Sequence, residues 1–521
     1  MLRIKNVKIS ITNDDLLGKI AHLLKIKVNE IKNIKISKLS IDAREKNNIM
    51  YVYEVDVDVL NENKILKRKL KNVVKTPKEV YKFPISGINE GVKIVVVGMG
   101  PAGLFASYEL VKHGYKPLII ERGVDVDSRV KDVESFWKTG NLNLNSNVQY
   151  GAGGAGTFSD GKLNTQTKDK FFRNKEVLET FVKFGAPEEI LYLNKPHIGT
   201  DLLRGVIKNM ISEIIRLGGE IRYNCCLTNL LIKNDKIIGI EVNNNEVIDC
   251  DNVVLALGHS SRDTFEMLLR NKVNIKPKPF AVGIRIQHPQ KLINNSQYGN
   301  ASLPSASYKL TYQTSKKRGV YSFCMCPGGY VVNSSSESHE LSINGMSNYK
   351  RDSENANSAI IVTVFPDDYG YKPLDGINFQ RMLEKKAFDA GNGMIPAQLF
   401  KDFKENRKSV NLGSVNPVFK GNYLLTNLRD IFPQYINEAL IEGIENFGKK
   451  IDGFDMDDAI ISAVESRTSS PIRIERDSNF LSNILGIYPC GEGAGYAGGI
   501  MTSAIDGIKV AEKIAEVYKP F

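Results

Sequence analysis

Apolar positions recur with period two over Leu2–Ser10 and again in YVYEVDVDV (Tyr51–Val59), where Tyr53, Val55, Val57 and Val59 share one face and Glu54, Asp56 and Asp58 the other. That alternation predicts half-buried strands. Between them Asp14–Leu24 repeats apolar residues at helical spacing and ISKLSIDAR reads as a further strand, so residues 1–89 predict a small α+β domain of β-α-β-β order. KILKRKLKNVVK follows, and the spacing of Leu66, Leu70 and Val73 predicts a basic surface helix docked by that stripe. After a polar break at Gly87–Gly91 the pattern changes. KIVVV (Lys93–Val97), KPLIIE and NVVLALG (Asn252–Gly258) are short unbroken apolar runs of the kind that buried parallel strands need. A helix ending near His113, with Gly114 as its C-cap, joins the first two; a helix capped by Thr200, a strand at EIRY and an antiparallel meander over Leu227–Ile248 precede the third. From Lys276 to Glu465 the β-α-β rhythm is lost, and it returns with GIYPCGE, a glycine-rich turn and a final helix. The order predicts an α/β protein: a Rossmann-type fold in two parts, 90–275 and 466–521, an inserted mixed α+β substrate or cap domain over 276–465, and the N-terminal domain.

The junction after KIVVV carries the first chemical signal. Gly98-Met-Gly100-Pro101-Ala102-Gly103 follows a strand and opens a helix, so Gly98 permits the tight turn, Gly100 lets backbone approach a pyrophosphate and Gly103 lets helix approach strand. The helix N-terminus offers free N–H groups to phosphates. Glu121, with Arg122 beside it, ends the next strand and is placed to accept hydrogen bonds from an adenosine ribose. Near the C-terminus Gly491 and Glu492 follow another apolar strand, and Gly498, Gly499 and Ile500 open the final helix. A long bent ligand needs such a pair: a carboxylate for ribityl hydroxyls and a helix N-terminus for the electron-rich end of a flavin ring. YGAGGAGTFSDGKL (Tyr150–Leu163) has nearly the spacing of an NTPase phosphate loop, but Leu163 stands where Ser or Thr would bind Mg²⁺ and no buried strand precedes it.

Charge and composition add little to this. The net charge of +11 is concentrated in residues 1–89, which hold 19 Lys+Arg against 10 Asp+Glu. Those lysines form either a solvated surface or a polyanion-binding face. No apolar run approaches the ~20 residues that span a bilayer, MLRIKNVKIS has no cleavable apolar core, and six irregularly spaced cysteines form no disulfide framework, so a cytoplasmic protein is expected.

GMGPAG with Glu121, the strand end at Gly258 and IYPCGE resemble the FAD-binding motifs of glutathione-reductase-like flavoproteins, although the last usually ends in Asp and here ends in Glu492. YGAGGAGTFSDGKLNTQ, GHSSRDTF, KPFAVGIRIQHPQ, RGVYSFCMCPGGYVVNSSSE, NGMSNYKRDSENANSA and ESRTSSPIRI are together similar to a bacterial family of FAD-dependent dehydrogenases, over most of the chain. The resemblance implies FAD as cofactor. It also implies that Gly153, Gly154, Ala155, Gly156, Thr157, Ser159, Asp160, Gly161 and Lys162 form a loop beside the flavin. For Arg129 a pyrophosphate contact and plain surface exposure are open alternatives. Cys324 and Cys326 are a CxC pair that either is redox-active, forms a flavin adduct or simply packs. Arg285 and Arg467 are candidates to bind a substrate carboxylate and His288 to act as acid or base, each against a structural hydrogen-bonding role. No Cys/His set at ligand spacing suggests a metal. A second dinucleotide fingerprint and a CxxxxC are both missing, so NAD(P)H is expected only as a transient reductant, with the substrate or a protein carrier as other electron sources. The expected protein is an oxidoreductase exchanging a hydride between flavin N5 and a small organic substrate; the alternative is an RNA-associated flavoprotein whose basic N-terminal domain holds a polyanion.

Overall fold

The computed structural model describes residues 1–520 apart from 89, 90, 166 and 168, so the domain boundary expected at 89/90 lies outside the described residues. Five parallel strands form the central sheet: β1 (Ile94–Val97), β2 (Leu118–Ile120), β3 (Glu220–Arg222), β4 (Asn252–Leu255) and β5 (Ile487–Pro489), in the order β3-β2-β1-β4-β5. Alternate side chains serve two cores. Ile94 and Val96 of β1 pack with helices α1 (Pro101–Lys112), α2 (Thr200–Arg216) and α3 (Ile500–Val517), whereas Val95 and Val97 pack with the meander Leu227–Lys233, Lys236–Val242 and Glu246–Asp249. Burial on both faces is why these strands read as unbroken apolar runs. The arrangement is Rossmann-type, with its switch point between β1 and β4. Thr200 is the first residue of α2 rather than its cap, which is Gly199.

Between β4 and β5 the chain leaves through Ile275–Pro277 and returns through Ile472–Ile474, two antiparallel strands paired with each other. Beyond this neck stands a seven-stranded sheet in the order Thr311–Gln313, Gly319–Cys326, Asn355–Val364, Phe280–Pro289, Ile460–Glu465, Ile395–Leu399 and Tyr423–Leu425. In Phe280–Pro289 the even positions Phe280, Val282, Ile284 and Ile286 enter a core with the helices Asp375–Gly391 and Gln434–Gly448, while Arg285 points to the opposite face and meets Glu465 and Asn344.

The N-terminal region is a four-stranded antiparallel sheet in the order Ile31–Asp42, Met50–Val59, Leu2–Ser10 and Val73–Lys75, with the helix Leu16–Leu24 against it. KILKRKLKNVVK is not one helix. A six-residue helix, Glu62–Lys67, gives way to Val73–Lys75, which pairs with Leu2–Ile4, because the free edge of that sheet offers ladder partners that an isolated helical turn lacks. Asp56 does not face solvent as its alternation suggested; it is buried and accepts from Arg3 Nε and Nη2 at 2.8 and 2.9 Å. Lys32, Lys35 and Lys38 are exposed on the edge strand, where charge discourages edge-to-edge pairing. Among the described residues no helix is long and apolar enough to cross a membrane.

Candidate functional site

A cleft of about 360 Å³ opens at the carboxyl ends of the parallel strands and runs between the Rossmann half and the inserted sheet. Its floor is made by close backbone approach. Gly98 has φ +99° and donates to Ile120 O at 2.8 Å, and a Cβ there would lie 2.4 Å from Ala256 O. A Cβ on Gly103 would lie 1.9 Å from Gly98 O, and one on Gly154 (φ +65°) 2.7 Å from Gly100 Cα, so the two glycine loops touch back to back. Helices α1 and α3 pack so tightly that a Cβ on Gly507 would meet Ala102 O at 2.1 Å, which brings both N-termini to one cleft. Neither Gly100 nor Gly499, the two N-caps, contributes a side-chain cap, so first-turn N–H groups of both helices are available to a ligand. Pro101 at the first position of α1 loses no needed donor.

Of the carboxylates expected on the ligand, Glu121 lines the cleft but is already busy. It accepts from the N–H groups of Met99, Gly123 and Gly151, each at 2.9 Å, tying three loops together and leaving about one of some four acceptor positions for a ribose hydroxyl. Arg122 also lines the cleft, with Nη2 2.8 Å from Asp263 and its guanidinium 4.5 Å over the Tyr150 ring. Glu492 is different: no donor among the described residues reaches it, and burial, opposed by Lys278, pushes its carboxyl up to about 8. At neutral pH it is therefore mainly protonated and able both to donate and to accept. Glu492→Gln is expected to hold a hydroxylated ligand as well as the wild type, whereas Glu492→Ala should weaken retention by about one hydrogen bond, ~1 kcal/mol or roughly fivefold; equilibrium dialysis of flavin against the two variants checks this.

Gly154, Ala155, Gly156, Ser159, Asp160, Gly161 and Lys162 line the cleft, as do Gly258, Gly498, Gly499 and Ile500. Cβ atoms on Gly258, Gly498 or Gly499 would stand in open space, the sort of gap a flat ring and its chain fill. Gly491 lies behind the wall, where a Cβ would sit 2.7 Å from that of Ala102. Gly153 and Thr157 also lie behind the wall: Gly153 N–H bonds Met99 O at 2.9 Å, a Cβ on it would strike Thr157 Oγ1, and Thr157 is buried. Arg129 does not reach the cleft and is not on the surface. Fully buried, it donates to the carbonyls of Asn147, Val148, Gly151, Ala152 and Gly154 at 2.9 to 3.2 Å and so shapes the loop from behind, and burial pushes its guanidinium down to about 9.

At the other end of the cleft stand Cys324, Lys162, Asn344, Glu465 and Arg467. Cys324 sits in a break of register between Phe323 and Cys326 with φ +42°, in the left-handed region that favours glycine. Cys326 is buried behind it, its Sγ 3.2 Å from Cys324 O. Interaction with the Cys326 thiol, together with the cations Lys162 and Arg285, holds the Cys324 thiol well below its usual range, while the same interaction and burial push Cys326 well above it against those cations. Lys162 Nζ donates to Met325 O and lies 3.1 Å from Asp160, which Arg351 Nε also binds at 2.9 Å.

The structure puts all three candidates for handling a substrate in structural hydrogen bonds. Arg285 has no free fork: the guanidinium is buried, and Nε donates to Glu465 at 2.7 Å, Nη1 to Asn357 at 2.6 Å and Nη2 to Asn344 at 3.0 Å. His288, three residues on and so on the opposite face of the strand, is buried against Phe454 with Nε2 2.7 Å from its carbonyl, away from the cleft, and burial pushes it down to about 4. Arg467 lines the cleft, yet Glu384 takes its Nε and Nη2 at 3.0 and 2.7 Å, and Nη1 is held by Ser260 and Ser336. A bidentate grip on a substrate is thus already spent.

Glu465 went unrecognised in the sequence. It lines the cleft, keeps one carboxyl oxygen clear of Arg285, and burial, opposed by Arg285, pushes it up to about 7. Only its place two residues before Arg467 in ESRTSSP marked it. Glu337, Glu340 and Glu384 come close enough together to hold a cation, but Arg262 contacts all three at 3.1 Å or less.

Residues 279–468 match a family model described as FAD-dependent protein, C-terminal domain-like, and residues 1–58 one described as a domain of unknown function. A Clostridium beijerinckii protein, described as an uncharacterized protein, is 49% identical over 530 residues covering 99% of each chain. Solved structures with similarity include a glycine oxidase from Bacillus cereus (11% identity, TM-score 0.34, 81% of this chain and 94% of that one) and an L-proline dehydrogenase from P. horikoshii (14%, TM-score 0.33, 82% and 94%). At such TM-scores the likeness carries no weight for function.

Proposed function

The chain belongs to the family of its Clostridium beijerinckii relative, and since residues 279–468 match FAD-dependent proteins, we propose that it is an FAD-dependent oxidoreductase acting on a small organic substrate. The observation that carries the reading is the cleft itself: two uncapped helix N-termini, brought together through Gly507 and Ala102, face one groove with glycine gaps at Gly258, Gly498 and Gly499 and an unpartnered carboxyl at Glu492. These groups suit a dinucleotide with a flat ring at one end. First-turn amides of α1 would hold the pyrophosphate, Glu121 a ribose hydroxyl and Glu492 the ribityl chain. Bound FAD supplies hydride acceptance or donation.

The chain supplies the proton. Glu465 Oε2 is fixed by Arg285, and the residue lines the cleft together with Cys324 and Asn344, so its second oxygen would take a proton from a substrate or return one. The same residues serve removal of hydrogen from a C–H bond and its addition to C=C. Because Glu465 is raised to about 7, its charged form grows as pH rises through that value. Substrate oxidation should therefore speed up through about pH 7 and substrate reduction slow down, and Glu465→Gln should flatten the profile and cost roughly 10²–10⁴ in rate. The primary test is the purified protein: it should be yellow, release FAD on denaturation, and bleach anaerobically with one member of a metabolite and NAD(P)H screen. Colourless protein that takes up no flavin would end the reading.

A further inference from the structure

We propose that Cys324 and Cys326 form a dithiol that reduces a small disulfide entering the cleft, making a thiol–disulfide couple the electron acceptor of this protein. The inference rests on the function proposed above for the return of electrons, but the exchange site itself stands on the geometry of the pair.

Side chains at i and i+2 of a regular strand point the same way and lie nearly two residue rises apart. Here the register breaks between Phe323 and Cys326, and Cys324 adopts φ +42°. A bulge of this kind re-aims side chains, and Cys324 stands on the cleft wall with Cys326 buried behind it, the Cys326 thiol donating to the Cys324 carbonyl oxygen at 3.2 Å. That is the layout of an attacking and a resolving thiol. Two cations flank them: Lys162 Nζ bonds the carbonyl of the intervening Met325, and Arg285 Nη1 is 4.0 Å from Cys326 Sγ. Both favour a thiolate, the nucleophilic form, and the depressed Cys324 thiol agrees with them. The adjacent Cys225 and Cys226 supply an internal contrast. They line the far end of the same cleft, yet burial raises both thiols.

The exchange balances as follows. Cys324 S⁻ attacks one sulfur of RSSR; the S–S bond breaks, RS⁻ leaves and takes a proton from solvent, and a Cys324–S–S–R mixed disulfide remains. Cys326 Sγ then attacks Cys324 Sγ and expels the second thiolate, which departs with the Cys326 proton. The dithiol has lost two electrons, and one RSSR has become two RSH. The two electrons that restore the dithiol are those released when the organic substrate is oxidised.

The test uses full-length protein as purified, oxidised glutathione as the probe, acid quenching and mass analysis of whole chain and peptides. Wild type should lose two hydrogens at a 324–326 crosslink without a lasting adduct. Cys326→Ser should trap one glutathione on Cys324, on the order of tenfold faster than any appears on Cys225 or Cys226, and Cys324→Ser should give neither product. Cys326→Ala repeats the trapping should the serine variant fold poorly, and the wild-type crosslink is independent of both. Absence of the crosslink in wild type, or of the adduct in a folded Cys326 variant, overturns the proposal. Flavin content, read from the same samples by visible absorbance, separates the two readings: yellow protein with no exchange sinks only the dithiol, and colourless protein with exchange sinks only the flavin.

Discussion

Arg129→Met is expected to come off purification without flavin and to unfold at a markedly lower denaturant concentration than the wild type. Of the five carbonyls that Arg129 serves, those of Gly151 and Gly154 also accept from the N–H groups of Gly154 and Thr157, while those of Asn147, Val148 and Ala152 have no other donor among the described residues. An orphaned buried acceptor costs about 1–3 kcal/mol, so with three carbonyls losing their donor the loss should be about 3 kcal/mol or more. The loop also carries Gly154, which rests on Gly100, so its collapse removes the wall opposite the α1 N-terminus. Arg129→Lys should rescue little, because an ammonium has three donors and no planar fork. Denaturant unfolding and flavin content after purification are the two measurements, and a Met variant with wild-type values of both would refute this assignment.

Glu384→Ala carries the other large effect. This carboxylate is completely buried and accepts from Arg262 at 2.7 and 2.9 Å, from Arg467 at 2.7 and 3.0 Å and from the Ser466 hydroxyl at 2.5 Å. Burial opposes its charge, yet the two guanidiniums hold its carboxyl well below the ordinary range. Deleting it leaves Arg262 to Glu337 and Glu340 but takes from the buried Arg467 its one close carboxylate, the next being Glu337 at 3.8 Å, and breaking a buried pair costs about 3–5 kcal/mol. Since its folded pKa is depressed, the stabilisation is present above the ordinary carboxyl pKa and fades as pH falls through the folded value. The deficit of Glu384→Ala relative to wild type should thus be full at neutral pH and shrink in acid. Adding Arg467→Met to the variant should recover part of the loss, read as a coupling energy in a double-mutant cycle.

What could be read from the sequence was local. Gly98, Gly100 and Gly103 announce a strand-turn-helix junction by their own local spacing, although only Gly103 meets a near neighbour, Gly98, while Gly98 and Gly100 make room for Ala256 and Gly154; the final glycine turn announces the second helix mouth in the same way. The buried strands were legible for a similar reason, since burial on both faces leaves a run of Ile and Val. How a polar side chain spends its hydrogen bonds was not legible, because its partners are distant in the chain. Arg285 meets Glu465 across 180 positions, and Arg467 meets Ser260 across 207. The arginine and histidine of GIRIQHP looked equally available, whereas the pleat sends one toward Glu465 and the other into the core. KILKRKLKNVVK misled because its apolar spacing fits a helix and says nothing of a vacant sheet edge.

The paired strands Ile275–Pro277 and Ile472–Ile474 bring the entrance and exit of the inserted sheet side by side, and the matched region, 279–468, falls between them. A segment hung on adjacent ends can be exchanged for a foreign one without re-threading its host. Residues 279–468 are therefore a unit that could be transplanted between relatives at this joint with the parallel sheet left as it is.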